Sequence, residues 1–206
     1  EDIAPNQSVM VAEEQAPYTS YEDLVDKVTK STVLPPHKPN ILLGYDGLGY
    51  NGHKSLIDKL GLLKGHRDDI GELYIPMNYT MKNEYDIPSS DAYRRSVSDY
   101  GVKVLGFRPR LLNNGNLTEK EYFEFLDSID IAVFGGHRPL NVDMLLYLLY
   151  MGKKIFLPSG IYLTKFLKEN YCMVEENDSL LSMRIEEFIK QPVKTDRKSN
   201  AIYSYL

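Results

Sequence analysis

The sequence predicts an α/β domain with a parallel sheet of about six strands and helices on both faces. Short apolar runs alternate with longer runs of helical period six times between residue 41 and the end of the chain. The chain of 206 residues is 43% hydrophobic and 26% charged, which is enough to bury the core that such a sheet needs. We therefore expect residues 41–206 to form one domain, preceded by an arm and linker over residues 1–40.

The predicted strands are short apolar runs bounded by glycine, proline or polar residues. They cover residues 41–43, 73–76, 102–105, 131–134, 154–157 and 172–174. Strict alternation with helices indicates parallel pairing. Each helix carries the chain back to the edge of the sheet where the previous strand began, so the next strand runs in the same direction. This pattern is typical of a Rossmann-like domain.

The predicted helices follow from apolar residues three or four positions apart and from signals at their ends. The first carries Leu56, Ile57, Leu60 and Leu63; the second starts near Ser90 and stops at Gly101. The third opens with a capping box at Thr118 and Glu121, and the fourth spans residues 141–151 before Gly152. The fifth spans residues 161–168; the last is capped by Asp178 and carries Leu181, Ile185, Phe188 and Ile189.

The first 40 residues differ in composition from the rest of the chain. Residues 1–16 are polar, acidic and aperiodic, residues 20–28 fit a short helix capped by Ser20, and Pro35, Pro36 and Pro39 mark a linker. Most of the net charge of −5 falls in this arm. The remainder is nearly balanced, which argues against nucleic acid as a partner because phosphate neutralisation needs a basic stripe.

Composition also bounds the compartment and the partners. One cysteine, Cys172, excludes a disulfide framework and a cysteine-rich zinc site, and indicates a reducing, cytoplasmic setting. No apolar run is long enough to span a membrane. Residues 184–206 lean basic, which fits either a solvated surface or a peripheral contact with an anionic membrane face.

Ligands of open parallel sheets bind at the carboxyl ends of the strands, and three loops there carry candidate residues. The first follows residue 43 and contains Gly44, Asp46, Gly47, Asn51 and His53. Its glycines let backbone approach a ligand, and the helix behind it offers free N–H groups to a phosphate. The alternatives are a tight turn and simple capping, because the loop matches neither G-x-G-x-x-G nor a P-loop.

The other two loops follow the second and fourth predicted strands. Asn78 and Tyr79 suit hydrogen bonding or stacking on a sugar or base, or belong to a capped turn. Gly136, His137 and Arg138 place an imidazole and a fixed positive charge at a helix start, which favours anion binding. The alternative for Arg138 is a surface ion pair with Asp143.

Several enzyme classes are excluded by absent motifs. The chain has no D-x-D pair that would hold a metal in one class of glycosyltransferase, and no nucleophile elbow. Asp46 follows the first strand as in a phospho-receiver domain, but no aspartate follows the third predicted strand, where Gly106 to Arg110 stand instead.

An ordered set of motifs resembles a known family. The set comprises Ile41–Gly44, Asn51–His53, Ile75–Tyr79, Tyr122–Phe134, Arg138 and Leu149–Lys154. In order and spacing it is similar to the carboxyl-terminal half of the 4-alpha-L-fucosyltransferase family, the TDP-N-acetylfucosamine:lipid II N-acetylfucosaminyltransferases of glycosyltransferase family 56. The resemblance covers roughly residues 41–172.

The resemblance implies the donor-binding half of a two-domain GT-B glycosyltransferase. It implies binding of a nucleoside-diphosphate sugar, such as a TDP-4-acetamido-4,6-dideoxygalactose, and transfer to a lipid-linked or polysaccharide acceptor held by another domain, in cell-envelope polysaccharide synthesis. It implies no metal and no cofactor, and assigns no catalytic base in this chain. We therefore expect the chain to be inactive alone.

Departures from the family pattern leave a second hypothesis open. Tyr45 and Asp46 stand where the family has Asn and Ser, Gly52 where it has Asn, and Pro139 and Leu140 where it has two glutamines. The alternative is a non-catalytic α/β binding or assembly module that keeps the fold and has lost the donor site. A polar, open cleft at the ends of the first and fourth strands favours the enzyme; a cleft filled by Tyr45, Tyr50 or the arm favours the module.

Overall fold

The structure is a computed structural model and describes residues 37–47, 49–64, 67–77, 90–112, 117–136, 142–170, 172 and 174–190. Its six strands are β1 (Ile41–Leu43), β2 (Leu73–Pro76), β3 (Arg110–Leu112), β4 (Ile131–Val133), β5 (Lys154–Leu157) and β6 (Val174–Glu176). Its six α-helices are α1 (His53–Leu62), α2 (Ser90–Leu105), α3 (Glu119–Asp127), α4 (Val142–Tyr150), α5 (Tyr162–Glu169) and α6 (Ile185–Phe188). The predicted arm up to residue 36, its helix over 20–28, and residues 191–206 lie outside the described residues.

The sheet has the strand order β3-β2-β1-β4-β5-β6, and every described pair is parallel. β1 is central: Ile41 pairs with Leu73 of β2 on one side and with Ile131 of β4 on the other. The chain therefore winds outward in both directions from β1, and the order reverses between β1 and β4. A crevice forms at such a reversal, where the neighbouring loops leave toward opposite faces.

Alternate side chains of the strands pack into two separate cores, one on each face of the sheet. Leu42, Ala132 and Ile155 join the core beneath α3, α4 and α5. Ile41, Leu43 and Val133 join the core beneath α1, α2 and α6. Because the central strands are buried on both faces, they read as uninterrupted apolar runs. The predicted fold class, with helices on both faces, is confirmed.

The predicted third strand is wrong. Residues 102–105 are the last turn of α2, and β3 lies further on, at Arg110–Leu112. The helix continues past Gly101 because Val97, Gly101 and Leu105 keep helical spacing on its buried side. Gly101 gives space for Pro109, whose Cδ would lie 2.6 Å from an added Cβ. The helix ends at Gly106, which has the left-handed φ of 83°.

The carboxyl-terminal elements also differ from prediction. β6 begins at Val174, two residues after the predicted start. The predicted last helix is two elements, a 3-10 turn over Asn177–Leu181 and the short helix α6. Leu181 is half exposed and is not part of an inner helix face. Asp178 caps no helix by its side chain; it binds Lys59 instead.

The capping box of the third predicted helix is confirmed. Thr118 Oγ1 accepts from the Glu121 backbone N–H, and Glu121 Oε2 accepts from the Thr118 N–H. Among the described helices, none is both long and apolar enough to cross a membrane.

Candidate functional site

The loop after β1 turns sharply at Gly44, at the reversal of strand order. Gly44 has φ of 74°, and its N–H donates to the Val133 carbonyl of β4 at 2.9 Å. A Cβ on Gly44 would lie 2.9 Å from His53 Nε2. Glycine is therefore required here by both the backbone conformation and the imidazole beneath it.

Asp46 and Asn51 hold the two ends of this loop together. The Asn51 amide Nδ2 donates to Asp46 Oδ1, and also to the Asp46 carbonyl at 3.3 Å. Both side chains are buried. Gly47 packs against the backbone of Met77 after β2, 3.1 Å from the position of an added Cβ. These contacts fix the loop against the sheet. The Asp46 carboxylate is therefore engaged within the loop itself.

His53 lies beneath the loop and joins α1 to α2. Its ring is fully buried, and Nδ1 lies 2.9 Å from the Tyr93 hydroxyl. Burial lowers the pKa of His53 to about 4, although the Asp46 backbone opposes the shift. Burial, together with the negative charge of Asp46, raises the pKa of Tyr93. The imidazole is therefore neutral at pH 7 and acts as a structural support.

A cleft of about 250 Å³ opens beside this loop, at the carboxyl ends of β4, β5 and β6. Its walls come from the start of α1, the two glycines after β4, and the ends of β5 and β6. The lining residues are Asn51, Gly52, Ser55, Leu56, Lys59, Gly135, Gly136, Pro158, Ser159, Asn177 and Asp178. Six of the eleven lining residues have polar side chains. Tyr45 lies in the core under α3 and α4 rather than in the cleft.

α1 presents its amino terminus to this cleft. Gly52 is the N-cap residue in the left-handed conformation, and no side chain caps the helix. The first intrahelical bond runs from the Leu56 N–H to the Gly52 carbonyl, so the preceding N–H groups have no partner within the helix. No acidic residue stands in the first turn. The positive end of the helix dipole is thus open to an anion.

Lys59 adds a positive charge to the same cleft. It lies on the face of α1 that carries Gly52, Ser55 and Leu56, and its Nζ lies 2.6 Å from both Asn177 Oδ1 and Asp178 Oδ1. Lys59, with Ser159 contributing, holds the pKa of Asp178 below its usual value. The sequence motifs do not include Lys59, although its spacing of seven from Gly52 places both residues on one helix face.

Asn177 fixes this charge relative to the sheet. Its amide Nδ2 donates to the Phe134 carbonyl at the end of β4 at 2.6 Å, while its Oδ1 accepts from Lys59. Asn177 is buried, and the bond to Phe134 sets the direction of its amide. One side chain therefore links β4, β6 and α1 at the mouth of the cleft.

The two glycines after β4 allow close packing of the loops. A Cβ on Gly135 would meet the carbonyl oxygen of Asn51, and would lie 2.9 Å from Leu56 Cδ1. Gly136 has φ of 87° and lines the cleft. The next predicted site residues, His137 and Arg138, and the pair Asn78 and Tyr79 lie outside the described residues.

Six of the ten predicted site residues are described, and the structure brings them to one place. Gly44, Asp46, Gly47, Asn51 and His53 form and support the first loop, and Gly136 faces it from β4. In the part of the chain that the structure describes, no three histidine, cysteine or carboxylate side chains gather as metal ligands would.

No protein-family model matches the chain. No curated protein matches it either. Solved structures do match. One, described as "Trehalose-6-phosphate from E. coli bound with UDP-2-fluoro glucose", aligns with a TM-score of 0.52 and 13% identity over 82% of this chain and 43% of that one. The "OtsA apo structure" aligns with a TM-score of 0.51 and 13% identity, over 78% and 39% of the two chains.

This similarity shows the fold. The chain is a Rossmann-like α/β domain of the type found in GT-B glycosyltransferases. It spans less than half the length of the structures that it matches. The narrower resemblance to the 4-alpha-L-fucosyltransferase family gains no support from these comparisons.

Proposed function

We propose that this chain is the nucleoside-diphosphate-sugar-binding domain of a glycosyltransferase. One observation carries the proposal: the amino terminus of α1 faces a cleft with polar side chains at the reversal of strand order. This helix begins at Gly52, which has a left-handed conformation, and no side chain caps it. A diphosphate is the anion that such a helix end binds through its N–H groups. The matched structure from E. coli is described as bound with UDP-2-fluoro glucose, which agrees with this chemistry.

The diphosphate would receive charge stabilisation from three sources. The α1 N–H groups near Gly52 would bind its oxygens, and Lys59 Nζ would approach from the same helix face. Arg138, which follows Gly136 by two residues in the sequence, would add a bidentate contact. The same groups would stabilise the charge that grows on the diphosphate as the sugar leaves. In this scheme these residues stabilise the diphosphate charge without a metal ion.

Asp46, Asn51 and His53 have a supporting part in this scheme. The Asn51 side chain donates a hydrogen bond to Asp46, and the His53 ring is hydrogen-bonded to Tyr93. All three side chains are buried. They would hold the glycine-rich loop at the distance that a diphosphate requires. Asn78, Tyr79 and His137 stay in the proposal as ligands of the sugar or nucleotide, on the sequence evidence alone.

The finer assignment rests on the family resemblance. In it the donor is a TDP-4-acetamido-4,6-dideoxygalactose and the acceptor is a lipid-linked saccharide at the cytoplasmic face of a membrane. A further domain would hold the acceptor and supply the catalytic base, with residues 1–40 serving as arm and linker. The chain spans less than half of the glycosyltransferase-fold chains it matches, which supports a role as one half of such an enzyme.

The non-catalytic module remains the second candidate, and one observation favours it. Lys59 is already paired with Asp178, so a bound anion must compete with that ion pair. Against it, Tyr45 packs in the core rather than in the cleft, while the arm lies outside the described residues. The uncapped start of α1 beside Lys59 in this cleft makes donor binding the better-supported function.

Calorimetric titration with TDP, UDP and pyrophosphate tests the proposal. We expect saturable binding of all three, weakened about ten-fold in Lys59→Met and in Arg138→Ala. The matched control is Lys54→Met on the same helix, because Lys54 Nζ lies over the Tyr100 ring on the α2 side, 5.5 Å from its centroid. Absence of binding by all three ligands would refute the donor-binding function and leave the module.

A further inference from the structure

A second groove adjoins the cleft along the start of α5. It has a volume of about 350 Å³ and is lined by residues of the loop after β5, the exposed side of α5 and the end of β6. Tyr162, the first residue of α5, is 80% exposed. Its ring is therefore accessible to a ligand in the groove.

The Tyr162 ring is held in place from one side only. It stacks on Phe166, one helical turn later, with ring centroids 6.1 Å apart and an angle of 25° between planes. Phe166 is itself packed against the core under α4 and α5. The outer face of a supported aromatic ring is a surface on which a second flat ring stacks.

Charge in the groove selects an uncharged occupant. Lys168 Nζ lies 2.6 Å from Glu176 Oε1, and Lys165 Nζ lies 3.8 Å from Glu169 Oε1. Each of these lysines is thus paired with a glutamate, and the groove carries no excess charge for a phosphate or a carboxylate. A neutral ring with polar edges suits these walls.

The groove continues the cleft along one edge of the sheet. Pro158 and Ser159 line the cleft, and the next residues of the same loop, Gly160 to Tyr162, line the groove. At the end of β6, Asp178 faces the cleft and Glu176 faces the groove. In the loop after β5, the cleft and the groove are therefore separated by the single step from Ser159 to Gly160.

From this continuity we infer that the exposed face of Tyr162 is the stacking platform for the nucleobase of the bound nucleotide. The inference rests on the proposed function, since it requires the diphosphate at α1. It adds a residue that the sequence motifs do not include, and it assigns the groove to the base rather than to the transferred sugar.

Substitution of Tyr162 separates this inference from the proposed function. Calorimetric titration of the full chain with TDP, UDP, TDP-glucose and pyrophosphate compares wild type, Tyr162→Ala and Tyr162→Phe. We expect Tyr162→Ala to bind all three nucleotides about ten-fold more weakly, and Tyr162→Phe to bind them like wild type. Pyrophosphate affinity should be equal in all three proteins. An unchanged thermal unfolding midpoint would show that Tyr162→Ala is folded, as expected for an exposed side chain.

Three results would overturn the inference. Equal TDP affinity in wild type and Tyr162→Ala, with pyrophosphate bound, would remove the platform and leave the diphosphate site. Loss confined to TDP-glucose would assign the ring to the sugar instead of the base. Failure of pyrophosphate and the nucleotides to bind wild type would refute the proposed function itself.

Discussion

His53 Nδ1 lies 2.9 Å from the Tyr93 hydroxyl oxygen, joining the first residue of α1 to α2 beneath the glycine-rich loop. The bond links the loop that would bind a ligand to the face of the sheet opposite α3, α4 and α5. Because His53 is buried and neutral, the loop's support depends on pH.

The free energy of unfolding should decrease as the pH falls, because His53 is protonated more readily in the unfolded chain. Its pKa is about 4 in the folded chain and 6.5 in the unfolded chain, so the unfolded state binds the extra proton between these values. The stabilisation is complete above pH 6.5 and is lost as the pH falls to 4, by about 3 kcal/mol.

Urea unfolding of wild type and His53→Asn at pH 7, 6, 5 and 4.5 measures this effect. The asparagine keeps a group that can bond to Tyr93 but does not titrate. The free energy of unfolding should therefore fall less steeply in the variant. Parallel profiles for the two proteins would contradict the assignment.

Removal of the Tyr93 hydroxyl should destabilise the chain. Tyr93→Phe leaves the buried His53 Nδ1 without its bond, which costs about 1–3 kcal/mol in the free energy of unfolding. Tyr100→Phe on the same helix is the matched control, since its bond to Asp58 is exposed and its loss is replaced by water. Equal effects of the two substitutions in denaturant melts would argue against a special role for the buried pair.

Gly135→Ala should open the packing between the two loops. The new Cβ would meet the Asn51 carbonyl oxygen and the Leu56 side chain, so the β4 loop must shift, at about 1–3 kcal/mol. Gly49→Ala in the first loop is the control, because its nearest neighbours lie 4.0 Å away. Thermal unfolding and TDP titration of both variants measure the effect, and a Gly135→Ala protein as stable as wild type would contradict the close approach.

Asp178→Asn should strengthen binding of pyrophosphate. The substitution removes the carboxylate charge that pairs with Lys59 at 2.6 Å, while Asn177 still holds the ammonium in the cleft, where it attracts an added anion. Asp178 is more than half exposed, so the gain is small, about three-fold in affinity. Weaker pyrophosphate binding in this variant would show that Asp178 positions Lys59 rather than competing with the anion.

The strands that the sequence predicts well are those bounded by sharp signals. β1, β2 and β5 start and end as predicted, since buried apolar runs meet glycine or proline there. The prediction of the third strand is wrong because residues 102–105 include two β-branched valines and a leucine, yet they complete a helix. The true strand begins with an exposed Arg110 at the sheet edge. An edge strand buries less, so its sequence pattern is weaker.

The site shows the same division between local and non-local information. The glycine-rich loop and the glycines after β4 are local signals, and the structure places them side by side. Lys59 belongs to the site only because Asn177 and Asp178, more than one hundred residues later, hold it there. The spacing of residues within α1 does not predict the contact of Lys59 with these two residues. The same holds for Tyr93, whose partner is forty positions away.

The last described residues close the core around the first strand. Leu180, Met183, Ile185 and Phe188 pack in one cluster with Ile41 and Leu43, and the Ile185 N–H donates to the Lys64 carbonyl at 2.7 Å. During synthesis on the ribosome, this face of the sheet stays open until residue 188 has left the exit tunnel. Until then the nascent chain carries an unfinished apolar surface on this face, and chaperone binding is favoured during that period.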